Sequence, residues 1–172
     1  VIARYSTGIS SDDLAPAIRG LSLRWVDPTD PRRSLFSLTF NTGRRLFASD
    51  AWTFIKFVMG DEAERNALVR ADSEMSALLW DQIRDPVSYS RYHYYTQAPR
   101  LHVDGTGRIS LARYRILPDL NRPDVGHHDP RDRAYPTENL VRTHGDRRSP
   151  TLLCDEVRAL ASAGMLSAVL QI

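Results

Sequence analysis

The chain has 172 residues, of which 42% are hydrophobic and 26% are charged. This length and composition indicate one globular domain and exclude a disordered or collagen-like protein. Lys and Arg total 23 and Asp and Glu total 21, so the formal net charge is only +2. That charge is too small to indicate a nucleic-acid partner or a membrane surface. No apolar run approaches the roughly 20 residues that a membrane span requires.

The cysteine content and the chain ends give two further expectations. Cys154 is the only cysteine, which precludes an intrachain disulfide, and no secretory leader is visible. We therefore expect a cytoplasmic protein. The chain begins at Val1 without an initiator Met and stops at Ile172 inside an apolar run. We expect these residues to be the ordered middle of a longer protein.

Two strands are predicted in the first quarter of the chain. Residues 21–25 and 35–40 alternate apolar and polar side chains, which is the pattern of half-buried strands. A segment rich in Asp and Pro separates them. Asn41, Thr42 and Gly43 then give a turn signal after the second strand.

Helices are predicted after this turn. Ser49 or Asp50 is placed to cap a helix that ends at Gly60. A longer helical stretch covers 61–83, where apolar residues recur at helical spacing. Residues 72–73 offer an internal restart within that stretch.

The second half of the chain predicts a hairpin, an arm and a final helix with a strand. Residues 100–103 and 108–117 flank an Asp-Gly-Thr-Gly turn, which is a hairpin signal. Residues 118–150 are rich in Pro and charge, and we interpret them as an extended arm or loop that wraps a neighbouring subunit. A helix over 151–163 and a buried strand within 165–172 follow. This order of elements predicts an α+β fold with an antiparallel sheet.

Three local motifs contain residue types that can carry chemistry, and each has a structural interpretation that we favour. His127 and His128 are competent metal ligands, but they lie in a proline-rich loop. Asp12 and Asp13 are paired carboxylates in a segment typical of a surface turn or helix start. Cys154 is better explained as a small core residue of the last helix than as a nucleophile.

Segments spread over most of the chain carry a family resemblance. In order, residues 1–7, 18–25, 40–50 and 155–172 resemble four segments of the haem-containing catalase superfamily. The first is similar to its Val-Arg-Phe-Ser-Thr strand, and the third to the segment with its distal Asn. The Asn-Thr-Gly turn and residues 94–99 (Tyr-Tyr-Thr-Gln-Ala-Pro) resemble the smaller branch, which includes coral allene oxide synthase and small catalase-related hydroperoxidases.

The resemblance implies an antiparallel β-barrel of the catalase type, with packed helices, built around haem. By this resemblance Asn41 is the distal amide that hydrogen-bonds the peroxide. Ser6 is the hydroxyl that orients the distal imidazole through its other nitrogen. Arg4 matches an arginine near a haem carboxylate, and Phe47 and Phe54 match aromatic residues that lie against the porphyrin.

The family's distal His and its proximal iron ligand do not match residues of this chain. The distal His of the family precedes the strand that resembles residues 1–7. The proximal Arg-x-x-x-Tyr follows the strand that resembles the end of the chain. We therefore expect 1–172 to be a single catalase-like domain without its two ligand segments, and we assign no metal ligand within it.

Two classes of function stay open from the sequence. The first is haem-dependent processing of a small-molecule hydroperoxide, either cleavage or isomerisation of an organic or fatty-acid hydroperoxide, or peroxide removal. The alternative is a haem-free structural or interaction module of the catalase fold, which uses the barrel and the arm 118–150 for assembly. For the protein in general, the expected protein partners are further copies of this chain, as a homo-oligomer, or a companion segment of the same protein. A third, non-haem metal chemistry at His127 and His128, is the weakest.

Overall fold

The computed structural model describes residues 1–8, 11–118, 122–129 and 140–172. The strands in these residues are β1 (Ile2–Thr7), β2 (Ala17–Val26), β3 (Ser34–Asn41), β4 (Ile83–Arg84), β5 (Tyr94–Tyr95), β6 (Arg100–Val103), β7 (Ile109–Ala112), β8 (Arg115–Leu117) and β9 (Val169–Gln171). The helices are α1 (Ala51–Met59), α2 (Glu62–Ala71), α3 (Ser73–Gln82) and α4 (Leu152–Ser162).

The main sheet is antiparallel throughout. Its strand order is β1-β2-β3-β5-β8-β9, and β4 pairs with the start of β2. Strands β6 and β7 form a separate hairpin. The predicted α+β fold with an antiparallel sheet is therefore confirmed. No pairing among the described strands joins β1 to β9, so the closed barrel stays a prediction.

One face of the sheet packs on aromatic residues. Leu21 and Phe40 alternate with outward-facing neighbours on β2 and β3, and both are buried. They pack with Tyr89, Tyr94 and Leu153 of α4 in one core cluster. Because successive side chains of a strand point to opposite faces, the polar residues between them lie on the other face of the sheet.

The three helices after β3 begin and end where capping residues predict. The Asp50 side chain accepts the Thr53 backbone N–H, and Gly60 follows the last turn of α1. Asp61 forms a reciprocal capping box at the start of α2. Asp72 caps α3, so the predicted restart divides the long helical stretch in two. No helix in the described ranges is long and apolar enough to cross a membrane.

The helices α1 to α3 enclose a second core cluster beside the sheet. Phe47, Phe57, Leu79 and Trp80 are buried in it, and Leu140 joins them from beyond the proline-rich region. Ile18 of β2 packs against this cluster and so connects it to the sheet. The face of β2 and β3 opposite the candidate site packs on the aromatic core, whereas the helical core contacts β2 through Ile18.

Three strand and turn predictions need correction. The predicted strand 108–117 is two strands, because residues 113–114 break it and β8 joins the main sheet instead of the hairpin. The strand predicted within 165–172 is β9, which is exposed at the edge of the main sheet rather than buried. Asp13 lies in a turn, but this turn is not on the surface, since only 3% of the residue is exposed.

Part of the predicted arm 118–150 is described, and that part packs on the body of the chain. His127 forms an isolated bridge with Arg84, and Asp124 makes an ion pair of 2.8 Å with the same arginine. The segments 119–121 and 130–139 of this prediction lie outside the described residues. The interpretation as a subunit-wrapping arm stays a prediction.

Candidate functional site

One row of directly opposed residues crosses the main sheet from edge to edge. Each residue is the register partner of the next across an antiparallel pair. The side chains of directly opposed residues project from the same face of a sheet. We name this set the cross-strand row: Ser6, Gly20, Asn41, Tyr95, Arg115 and Gln171.

Ser6 and Asn41 converge over Gly20, which separates them in the cross-strand row. A Cβ atom on Gly20 would lie 2.6 Å from Ser6 Oγ and 3.5 Å from Asn41 Oδ1. The missing side chain therefore leaves room for a hydroxyl and an amide to approach each other across three strands. The structure thus brings together the two residues that the sequence predicts as catalytic.

Gln97 holds the amide of Asn41. Asn41 Nδ2 donates to Gln97 Oε1 at 3.3 Å, and Gln97 Nε2 donates to the Thr42 carbonyl at 3.3 Å. An amide nitrogen carries two protons, so one proton of Asn41 Nδ2 is left for a ligand. Gln97 has no role predicted from the sequence. The sequence feature that contains Gln97 is the segment 94–99, which contributes to the family resemblance but does not indicate a contact with Asn41.

Arg4 lies on the same face of β1 as Ser6. The two residues are two positions apart, and Arg4 is opposed to Ser22 of β2. Arg4 is exposed. It therefore adds a positive charge to the face that also carries the half-buried hydroxyl and amide.

Phe47 and Phe54 form a second group of predicted site residues, and the two side chains differ in how exposed they are. Phe47 is 6% exposed, and its ring centroid lies 4.7 Å from that of Phe57 within the helical core. Phe54, on α1, lies 5.9 Å from Phe47 and is 38% exposed. Phe54 can thus offer ring surface to a ligand, whereas Phe47 contributes chiefly to the core.

The two adjacent histidines engage different carboxylates. His127 Nε2 lies 3.5 Å from Asp124, while His128 Nδ1 lies 2.6 Å from Asp85. The His128 ring also stacks on Trp80 at 5.6 Å between centroids. In the described ranges, no group of three or more His, Cys, Asp or Glu side chains is placed to hold a metal ion.

Asp13 and Cys154 are joined in a buried structural contact. The Asp13 carboxylate accepts the Cys154 backbone N–H at 2.9 Å and the Tyr89 hydroxyl at 2.9 Å. Burial, and then the neighbouring Asp13 carboxylate, raise the pKa of the Cys154 thiol. This shift favours the protonated thiol, which is a poor nucleophile.

Comparison with known proteins finds two partial relatives. The chain is 27% identical over 178 residues to the linolenate 9R-lipoxygenase of Nostoc sp. PCC 7120, an alignment that covers 99% of this chain and 23% of that protein. It is 30% identical over 117 residues to the uncharacterized protein y4iK of Sinorhizobium fredii NGR234, which covers 66% of this chain and 49% of that protein. The chain thus spans less than half of either relative. No known family profile matches it.

Proposed function

We propose that this chain is part of a haem-dependent protein that processes fatty-acid hydroperoxides by cleavage or isomerisation. The observation that carries the proposal is the convergence of Ser6 and Asn41 over Gly20. The relative from Nostoc is named for linolenate, the anion of a long unsaturated fatty acid, which favours an organic hydroperoxide over hydrogen peroxide. The proposal includes closure of the sheet into a barrel and iron ligands from segments outside 1–172.

The described residues fit one side of a haem group. Gly20 leaves a shallow cradle between a hydroxyl and an amide, and a side chain there would fill it. Arg4 would bind a haem carboxylate, and the exposed ring of Phe54 would lie against the porphyrin. When bound, haem supplies the iron centre that activates the peroxide bond.

The roles of the chain's own residues follow from their hydrogen bonds. The second proton of Asn41 Nδ2 donates to a peroxide oxygen and holds it in position. Gln97 keeps the amide plane of Asn41 in one orientation through the other proton. The Ser6 hydroxyl orients the distal imidazole, which the resemblance assigns to a segment outside the chain. Gly20 keeps the space between the Ser6 hydroxyl and Asn41 Oδ1 open.

The test replaces Asn41 in the intact protein. Asn41→Ala removes the amide donor, so we expect hydroperoxide turnover to fall at least tenfold, equivalent to about 1.4 kcal/mol of transition-state stabilisation. Haem content, measured from the absorption spectrum against protein concentration, stays unchanged. Thr39→Ala is the matched control, because Thr39 lies two residues earlier on the same face of β3. Unchanged turnover in Asn41→Ala with haem retained would show that Asn41 has no catalytic role.

A separate observation supports the haem-free interaction module as a second candidate. On the hairpin, Leu101 is opposed to Leu111 and Val103 to Ile109, so four aliphatic side chains share one face. They are between 60% and 73% exposed, which is typical of an interaction surface. This candidate predicts a colourless, folded protein whose oligomeric state changes in a Leu101→Ser, Leu111→Ser variant. Purification with about one haem per chain would exclude it.

A further inference from the structure

Two adjoining cavities lie beside Tyr95, the residue that follows Asn41 in the cross-strand row. One has a volume of about 260 Å³ and the other about 90 Å³. Arg44 and Tyr95 line both of them, so the two cavities share a boundary. Arg113 and Arg115 line the smaller cavity, which therefore has three arginines in its lining.

These arginines are available to a ligand. No carboxylate in the described part of the chain lies within ion-pair distance of Arg44, Arg113 or Arg115. Arg115 Nε donates to the neutral side chain of Gln171 at 2.6 Å. The Arg44 guanidinium lies over the Tyr95 ring at 5.9 Å, a cation–π contact that restricts its position.

The carboxylates of the larger cavity are already occupied by other groups. Asp124 pairs with the buried Arg84 at 2.8 Å. Asp81 accepts the backbone N–H of Arg44 at 3.3 Å. The lining of the smaller cavity contains the three arginines and no Asp or Glu side chain. Uncompensated positive charge in a concave site is suited to an organic anion.

The register connects this cavity to Asn41. Asn41 is opposed to Tyr95, and Tyr95 is opposed to Arg115, so all three project from one face of the sheet. Two strand spacings of about 4.8 Å separate Asn41 from Arg115, which places their backbones about 10 Å apart. A long-chain acid can span that distance with its carboxylate at the arginines and its peroxide at the amide, whereas hydrogen peroxide cannot contact both.

We propose that Arg44, Arg113 and Arg115 bind the carboxylate of a free fatty-acid substrate and so set which carbon reaches Asn41. The inference rests on the proposed function and adds a substrate preference to it, because the protein should bind the free fatty acid more tightly than its ester. The guanidinium group suits this role because its planar fork of N–H donors matches a carboxylate and stays charged at all working pH values.

The test compares binding of linolenate and methyl linolenate to the intact protein by isothermal titration calorimetry. The wild type should bind the acid at least tenfold more tightly than the ester. In an Arg113→Gln, Arg115→Gln variant, the Kd for linolenate should rise at least tenfold, while the Kd for the ester stays unchanged. Arg44→Gln is a second variant that leaves the Gln171 contact of β8 intact. Arg32→Gln, on the exposed connection between β2 and β3, is the matched control.

The outcomes separate the inference from the proposed function, since binding is measured without turnover. Equal affinity for acid and ester in the wild type would overturn the inference, as would an equal loss in Arg32→Gln. An arginine-dependent preference for the acid supports the inference even where haem and turnover are absent. Turnover that is equal for acid and ester hydroperoxides, and unchanged in the arginine variants, supports the proposed function and contradicts the carboxylate site.

Discussion

Gly20 separates the two polar side chains at the centre of the candidate site, and its lack of a side chain is what allows them to meet. Its φ is not positive, so backbone freedom is not the reason for glycine here. The reason is space, because a Cβ at this position would lie 2.6 Å from Ser6 Oγ. Because the Ser6 side chain can rotate away, a larger residue at position 20 is expected to displace the Ser6 hydroxyl rather than to disrupt the fold.

Gly20→Ala is therefore expected to change activity more than stability. The free energy of unfolding should stay within about 1 kcal/mol of the wild type, since alanine also reduces the entropy of the unfolded chain. Hydroperoxide turnover should fall severalfold because the Ser6 hydroxyl is displaced. Thermal unfolding and steady-state kinetics on the same preparation measure both quantities.

Gly105→Ala serves as the control for this substitution. No atom lies within 4 Å of a Cβ built on Gly105, in the turn of the β6–β7 hairpin, and its φ is not positive. Wild-type turnover in Gly20→Ala would show that the hydroxyl position does not matter.

At the scale of the element, helix α4 depends on a carboxylate from the other end of the chain. Thr151 precedes the helix without a side-chain capping bond. Asp13 instead accepts the Cys154 N–H in the first turn, where a helix has unpaired N–H groups. The negative charge also lies at the positive end of the helix dipole. The contact thereby attaches α4 to the segment before β2.

Asp13→Ala should accordingly destabilise the protein. It removes the cap and leaves the buried Tyr89 hydroxyl without its acceptor, so we expect a loss of about 2–3 kcal/mol in the free energy of unfolding. Urea denaturation measures it. Asp155→Ala on the same helix removes an exposed pair with Arg158 and should cost less than about 1 kcal/mol. Similar losses in both variants would contradict the capping role.

At the scale of the whole molecule, four tyrosines join β1 to the region around β5 in one buried cluster. Tyr5 contacts Tyr89 and Tyr94 at 5.7 and 6.0 Å between ring centroids, and Tyr92 lies 6.5 and 6.3 Å from the same two rings. Burial raises the pKa of each hydroxyl above its ordinary value. The folded protein therefore holds these protons at pH values where the unfolded chain releases them.

This cluster predicts a loss of stability in alkaline solution. Stability from the raised pKa values is fully present below about pH 10, where unfolded tyrosines are protonated too, and it is lost as the pH rises further. Each such tyrosine reduces the free energy of unfolding by about 1.4 kcal/mol per pH unit above that point. Urea denaturation at several pH values in this range gives the slope of the free energy of unfolding against pH. In Tyr94→Phe this slope should be shallower, by the amount that corresponds to about one proton fewer released on unfolding. An unchanged slope in that variant would contradict the prediction.

Much of the fold follows from local sequence signals. Asp50, Asp61 and Asp72 each cap the helix that they precede, because a short carboxylate reaches the N–H groups of the next turn without help from the rest of the chain. The break at Asp72 is visible in the sequence for the same reason. In contrast, no local signal indicates that residues 113–114 divide a strand. The division arises because β8 pairs with β5 in the main sheet, whereas β7 belongs to the hairpin.

The candidate site was only partly accessible to sequence reasoning. The family resemblance predicts roles for Ser6 and Asn41, but their approach to each other depends on the register of β1, β2 and β3. Gln97 and the arginine cavity required tertiary structure, because Arg44, Arg113 and the residues around them are far apart in the chain. The residues next to Asp13 indicate a surface turn or a helix start, whereas its burial depends on partners that lie 76 and 141 residues away.

The sequence by itself therefore determined the helices, the β6–β7 hairpin and the antiparallel α+β class, because capping, turn chemistry and side-chain alternation act over a few residues. Only the tertiary structure decided which strands pair and in which register. Register selects the face on which each side chain lies, and a shift of one residue would move Asn41 and Ser6 to the opposite face. Pairing between distant segments thus places the hydroxyl, the amide and the arginines on one surface.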